Sequence, residues 1–182
     1  MHNRRWVHDR SSNPTIRRSA SKIRRSAILS GCARYRYVLK REWEHGLPGV
    51  LFIALNPSTA DGEQDDPTVR RCIGFSQSWG FGKLAIVNLF ALRSKDPALL
   101  SVEPDPIGPE NDRWIMELAN EFTMTIAAWG GHAAVKGRAT DVLRKLLRVH
   151  HLGLTNAGHP KHPLYLPKTI RPTLFESTSS FA

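Results

Sequence analysis

From residue 35 onward, apolar runs of four or five residues alternate with stretches in which apolar positions recur every three or four. The runs read as strands and the spaced positions as helices. Tyr35-Arg36-Tyr37-Val38-Leu39 alternates and is β-prone, as expected of an edge strand. Residues 49–55 carry no polar interruption and predict a strand buried on both faces. Asp66-Pro67 predicts a helix start, with Asp as N-cap and Pro in the first turn. Val69, Cys72 and Ile73 follow at helical spacing, and Gly80 supplies the stop. Residues 84–87, 124–128 and 151–154 predict three further strands. Asp96-Pro97 predicts a helical turn, and Pro109 a longer helix carrying Trp114, Ile115 and Leu118. A last helix is expected around Ala139–Leu147, with Val142, Leu143, Leu146 and Leu147 as its apolar stripe.

Strands alternating with helices predict an α/β fold. The expectation is a three-layer α/β/α sandwich with a mainly parallel four-stranded central sheet. Right-handed crossovers would bring the C-terminal ends of those strands to one edge, the edge at which open α/β sheets bind ligands. The polar residues that follow the four strands are Asn56, Asn88, Trp129 with His132, and His159 with His162. They are expected to line one cleft.

The 182 residues, 41% of them hydrophobic, suffice for one domain with a real core, expected over residues 34–175 with a short tail at 176–182. No apolar run approaches the ~20 residues that span a bilayer, and no signal-peptide core follows the basic start. Cys32 and Cys72 are too few for a disulfide scaffold or a four-cysteine metal centre, so a reducing, cytoplasmic setting is expected. The net charge of +10 is unevenly placed. Residues 1–36 hold ten Lys and Arg against the single acid Asp9, leaving sixteen basic and fifteen acidic residues beyond. The positive charge therefore belongs to an N-terminal arm, expected over residues 1–33 and outside the core. The arm carries a near-repeat, Ile16-Arg17-Arg18-Ser19-Ala20 and Ile23-Arg24-Arg25-Ser26-Ala27. It suits the neutralisation of nucleic-acid phosphates. It equally suits a solvated, disordered extension, a translated segment upstream of the true start, or an organellar transit peptide.

Several familiar chemistries are disfavoured by spacing. Asp61, Glu63, Asp65 and Asp66 lack the order of a calcium loop. His159 and His162 have no evident third ligand for zinc. Ser58 and Ser76 lack a nucleophile elbow, and no phosphate- or dinucleotide-binding glycine fingerprint is present. No metal and no cofactor are expected.

The stretches "ALNPSTADGEQDDPTVRRCIGF", "VNLFALRSKDP", "IGPEND", "AAWGGHA" and "LGLTNAGHPKHPLYL" resemble domain-of-unknown-function family 1643 over about residues 35–170. More distantly, four of the loops resemble the uracil-DNA glycosylase superfamily, in its mismatch-specific thymine/uracil branch. That resemblance implies a uracil-DNA-glycosylase-like fold in which "ALNPS" places Asn56, with Pro57 and Ser58, where a hydrolytic water is oriented. It implies that Phe75 in "CIGFS" stacks on an extruded base. "AAWGGHA" is similar to the third-strand Trp-Gly motif and brings in Trp129 and His132. "GHPKHPLYL" is similar to the His-Pro loop, in which His162 or His159 touches the base. Lys161 and Arg93 would then hold phosphates, Asn88 would join the cleft, and Leu164 or Tyr165 would fill the vacated stack. The implied activity is a monofunctional DNA glycosylase acting on a damaged, deaminated or phage-modified base, in repair or antiviral defence. DNA is the expected partner, and a monomer the expected state. The alternatives are a non-catalytic module that binds a modified base, and a hydrolase or transferase of free nucleosides or nucleotides.

Overall fold

The computed structural model describes residues 22–58, 63–135 and 137–175. The first copy of the near-repeat, Asp61 and the tail at 176–182 lie outside the described residues, as does most of the expected arm. Seven strands form one sheet: β1 (Arg24–Leu29), β2 (Arg36–Glu42), β3 (Gly49–Ala54), β4 (Lys83–Asn88), β5 (Met124–Ala127), β6 (Val149–His151) and β7 (Thr173–Leu174). Their order across the sheet is β1-β2-β4-β3-β5-β6-β7. β4, β3, β5 and β6 are parallel to one another, whereas β1–β2, β2–β4 and β6–β7 pair antiparallel. The helices are α1 (Pro67–Ser78), α2 (Asn111–Glu121) and α3 (Arg138–Arg144), with 3₁₀ turns at Pro97–Ser101, Ala133–Val135 and Pro163–Tyr165.

This architecture overturns the expected uracil-DNA-glycosylase-like sandwich around a mainly parallel four-stranded sheet. The sheet among the described residues has seven strands and is mixed, with three α-helices. The difference arises at the edges. Tyr35–Leu39 is not an edge strand: Val38 and Leu39 are wholly buried, and β2 lies between β1 and β4. β1 itself falls inside the expected arm, and its charge disguises it. An edge strand is paired on one side only and tolerates, even favours, charged residues. Arg24, Arg25 and Ser26 are exposed, and Ile23, Ala27 and Ile28 supply the partial burial. The arm therefore gives way to the sheet at residue 24, not 33. Arg24 pairs with Glu42, which pairs in turn with Lys83 at the start of β4. The chain thus enters the sheet at the edge opposite the C-terminal tips of the parallel strands.

β3 is apolar throughout because both its faces are covered. Leu51 and Ile53 join Ala85, Val87, Ile115 and Leu118 of α2, and Ala139 and Val142 of α3. Val50 and Phe52 join Leu84, Ile86, and Val69, Cys72 and Ile73 of α1. α1 begins as its sequence dictates, with the Asp66 carboxylate accepting the Val69 N–H at 2.8 Å and Pro67 in the first turn. α3 is shorter than its apolar stripe suggests. It ends at Arg144, and Leu147 is fully exposed. The last parallel strand begins at Val149, two residues ahead of the expected start.

Arg41 of β2 is wholly buried, and its guanidinium joins three segments. It donates to Asp65 Oδ1 at 2.7 Å, to the carbonyls of Lys40 and Ser26 at 2.8 and 3.3 Å, and to that of Gln64 at 3.3 Å. Arg25 of β1 adds a second, more exposed pair to Asp65 at 3.4 Å. The approach to α1 is therefore anchored by charge. Arg41→Ala leaves Asp65 without its buried partner and is expected to lower stability by about 3–5 kcal/mol. Arg25→Ala is expected to cost less than about 1 kcal/mol. Urea unfolding of the two variants measures the difference. In the same assay a chain beginning at residue 33, which lacks β1, is expected to unfold at lower urea than one beginning at residue 22.

Candidate functional site

The tip of β3 is held from both sides. Past the last strand residue, the Ala54 and Leu55 carbonyls accept from Leu89 and Phe90 N–H at 2.9 and 3.0 Å, while Ile53 O accepts from Ala128 N–H at 2.8 Å. Pro57, buried and without an N–H, offers its carbonyl to Ser94 N–H at 3.0 Å. Asn56 answers in the other direction. Its Nδ2 donates to Ser94 O at 2.9 Å and more weakly to its own neighbour's carbonyl, Pro57 O, at 3.3 Å. Two carbonyls facing one end of the amide fix it as the NH₂ end. The half-buried Asn56 therefore presents Oδ1, an acceptor, on the side away from Ser94.

Ser58 donates from Oγ to Asp66 Oδ2 at 2.7 Å. The other oxygen of that carboxylate caps α1, so both are engaged. The charge of Asp66 also reaches His162, where it opposes the effect of burial. Burial is the larger influence and holds the His162 imidazole below its ordinary pKa, so the ring is neutral near pH 7. His162 Nδ1 accepts the Leu164 N–H at 3.3 Å, capping the 3₁₀ turn at Pro163–Tyr165. In a neutral ring whose Nδ1 accepts, the proton sits on Nε2. His162 is thus built as a hydrogen-bond donor and not as a base.

The β5 and β6 tips close on one another through glycine. Gly130 donates its N–H to Pro160 O at 3.0 Å, and a Cβ on Gly130 would lie 3.6 Å from His162 Cβ. A Cβ on Gly131 would lie 3.5 Å from the ring of His159. Both histidines therefore flank the β5 tip, but it is His162 on which Asp66 acts. His159 has a buried Nδ1 without a partner, and its backbone is tied to Thr155. His132 spends its Nδ1 on Ala134 N–H at 3.2 Å, within its own turn. Lys161 is exposed on the rim, its stem beside Gly153. Leu164 is half-buried, while Tyr165 next to it is 89% exposed.

Three expected site residues are scaffold instead. Phe75 is 2% exposed in the third turn of α1, its ring stacked 5.4 Å from Trp79 and 4.6 Å under the Arg71 guanidinium. It has no free face for a base, because its helical phase puts it with Cys72 in the core. Asn88 is 1% exposed, accepts from Arg36 Nη2 at 3.3 Å, and passes its carbonyl to Asn111 Nδ2 at 2.9 Å. Trp129 is buried in the core on the α2 and α3 face of the sheet. Each stands near a strand tip or in a motif, but its side chain belongs to the interior.

Sequence reasoning missed other residues. Asp66 was legible as a cap and not as the link between Ser58 and His162. Ser94 and Lys95 join Ala33, Arg34, Ser58 and the expected Arg93 around an open cleft of about 420 Å³ beside Asn56. The signal was the "RSK" that follows the second parallel strand, two cations around a serine at a strand tip. Among the described residues no three His, Cys, Asp or Glu side chains gather as a metal site. No helix among them is long and apolar enough to cross a membrane.

The neutral His162 carries a pH signature. Folding disfavours its protonated form, so the unfolded chain takes up the proton first as pH falls. The stability it contributes is complete above the ordinary imidazole value of 6.5 and is lost as pH falls from there towards the lower folded value. His162→Gln, which removes the titrating group, is expected to lose less stability than the native chain between about pH 7.5 and about pH 5.5. Urea midpoints at the two pH values measure this.

No curated protein and no solved structure matches the chain. A family model described as "Protein of unknown function (DUF1643)" matches residues 36–164, a span that runs from β2 through the Asn56, Asp66 and His162 loops. The chain belongs to that family.

Proposed function

We propose that this edge of the sheet hydrolyses the N-glycosidic bond of a noncanonical base in DNA and leaves an abasic site. One observation carries the reading: Asn56 and His162, at the tip, are polar and uncharged, with their hydrogen-bonding directions set. Asn56 offers an oriented acceptor and the half-buried His162 ring an Nε2–H donor, while Ser58 hydrogen-bonds Asp66, whose charge acts on His162. No poised base or nucleophile is needed for a bond that breaks by departure of the leaving group. The electron pair of the C1′–N bond leaves with the base, and a donor aimed at the base oxygen stabilises that negative charge. A water held by Asn56 Oδ1 then bonds to C1′, and its surplus proton passes through solvent to the departed base. The base must leave the stack to reach the site. Tyr165, exposed three residues beyond His162, is the side chain that takes its place. The loops' resemblance to the uracil-DNA glycosylase superfamily supports the reading through Asn56 and His162, not through Phe75 or Trp129. On this reading the chain is an enzyme of the bacterial cytosol, working as a monomer in repair or defence against modified phage DNA.

The test is incubation with uracil-containing, damaged and phage-modified DNAs, scoring released base and alkali-labile sites. His162→Ala and Asn56→Ala are each expected to lower the rate by about 10²- to 10³-fold. Tyr165→Ala is expected to slow reaction on duplex more than on single strands. DNA that is bound but left intact across the whole panel would instead identify a non-catalytic modified-base reader.

A further inference from the structure

The cleft beside Asn56 has a composition that the neutral tip does not share. Arg34, Arg93 and Lys95 line it together with Ser58 and Ser94. Arg34 is paired to Glu103 at 2.5 Å. Arg93 and Lys95 are exposed, and among the described residues neither has a carboxylate within ion-pair distance. Arg93 is nonetheless held in place: its Nη1 donates to Ala33 O at 3.0 Å, and its backbone N–H donates to Arg34 O at 3.0 Å. Ala33 adopts φ 56°, the one positive φ outside glycine among the described residues. A β-carbon in the left-handed region is strained, and strain of this kind gathers where a ligand is gripped. Ala33 lies in the turn between β1 and β2, its N–H donating to Ser30 O at 2.9 Å, and its carbonyl accepts from the arginine. Ser94 connects the two regions, since its carbonyl anchors the Asn56 amide and its neighbours on either side are the two cations.

From this we infer that the cleft is a phosphate subsite, in which Arg93 and Lys95 clasp one phosphate next to the sugar held at Asn56. Arg34, already neutralised by Glu103, sets the cleft wall. The placing of the sugar rests on the function proposed above; the phosphate contact does not, and it is tested without any release of base. The cation pair sits on the β4 side of Asn56, whereas His162 approaches from the β6 side. Phosphate and base would therefore occupy opposite flanks of the same amide.

The experiment follows backbone amide NMR shifts of the full chain at constant ionic strength. The probes are inorganic phosphate, deoxyadenosine monophosphate, and a DNA dodecamer with hydroxyl ends, whose phosphates are all internal diesters. Saturable shifts at Arg93, Ser94 and Lys95 are expected. A response to the dodecamer identifies a backbone diester as the occupant, and a response confined to the other two probes identifies the terminal phosphate of a free nucleotide. Lys95→Ala, which removes no side-chain hydrogen bond or ion pair among the described residues, is expected to weaken the response several-fold. It should also flatten the dependence of log K on log salt for the dodecamer by about 0.7, one phosphate's worth on a single strand. Lys83→Ala, at the opposite edge of the sheet, should change neither. No saturable shift with any probe, or the same response in Lys95→Ala as in the native chain, overturns the subsite. Because no step of the titration depends on base release, a chain inactive on every DNA in the panel above can still pass it, and the two proposals fail separately.

Discussion

β3 is hydrogen-bonded on both sides, and the bonding continues beyond its last strand residue. The carbonyls of Ile53, Ala54, Leu55 and Pro57 each accept an N–H from a neighbouring segment, at 2.8–3.0 Å. A buried carbonyl without a partner is costly, so each of these bonds removes a way for the tip to move. Asn56 therefore inherits its orientation from the sheet instead of from its own rotamer preference. The positions of the other tips follow from the same strand. β4 and β5 are registered directly on β3, and β6 on β5. Residues on four separate loops are brought to one edge because one central strand has no freedom left.

What the sequence shows of this arrangement depends on how local the responsible physics is. The Asp66-Pro67 helix start and the polar corner at Asn56-Pro57 are local signals of capping and turn chemistry, and they stand where expected. Phase errors are more instructive. Phe75 lies three residues beyond Cys72, and helical period alone assigns the two to one buried face; the motif outweighed a spacing that was already readable. Asn88 ends a strand whose side chains alternate, and its side falls on the core, where Arg36 meets it. The buried guanidinium groups are not legible at all. Arg36, Arg41 and Arg138 look like solvated charge, because a buried cation is acceptable only with partners distant in sequence. Arg41 needs Asp65 and Arg138 needs Asp112, 24 and 26 residues away. β1 is hidden in the sequence for a related reason. Pairing along one side, with Ala27 and Ile28 only partly covered, requires almost none of the apolar content that marks an interior strand.

The electrostatics of the tip follow from where the one nearby carboxylate spends its charge. Asp66 gives one oxygen to the first turn of α1 and the other to Ser58. An anion at a helix N-terminus is already stabilised there, and the hydroxyl donor screens its other side. At His162 the charge of Asp66 opposes burial, but burial is the larger influence, so the ring stays neutral. A free carboxylate in the same place would favour the imidazolium and take Nδ1 away from the Leu164 N–H. Asp66 thus caps α1 and also acts on His162, although the two residues lie far apart in the chain.

The loops that carry the site are fastened mainly to one another. Ser94 binds the β3 tip, Pro160 the β5 tip, and Lys161 and His159 bind back across their own loop to Gly153 and Thr155. At Gly130 and Gly131 a Cβ would meet His162 and His159 at ordinary van der Waals distance, so it is the backbone that asks for glycine at Gly130, where φ is 77°, a value an L side chain rarely adopts. The apolar interior meets the tips at Leu89, Phe90 and Ala128, core residues whose N–H groups bond the Ala54, Leu55 and Ile53 carbonyls. The core fixes where each loop begins, and a short series of backbone hydrogen bonds between loops fixes where its functional atom ends up.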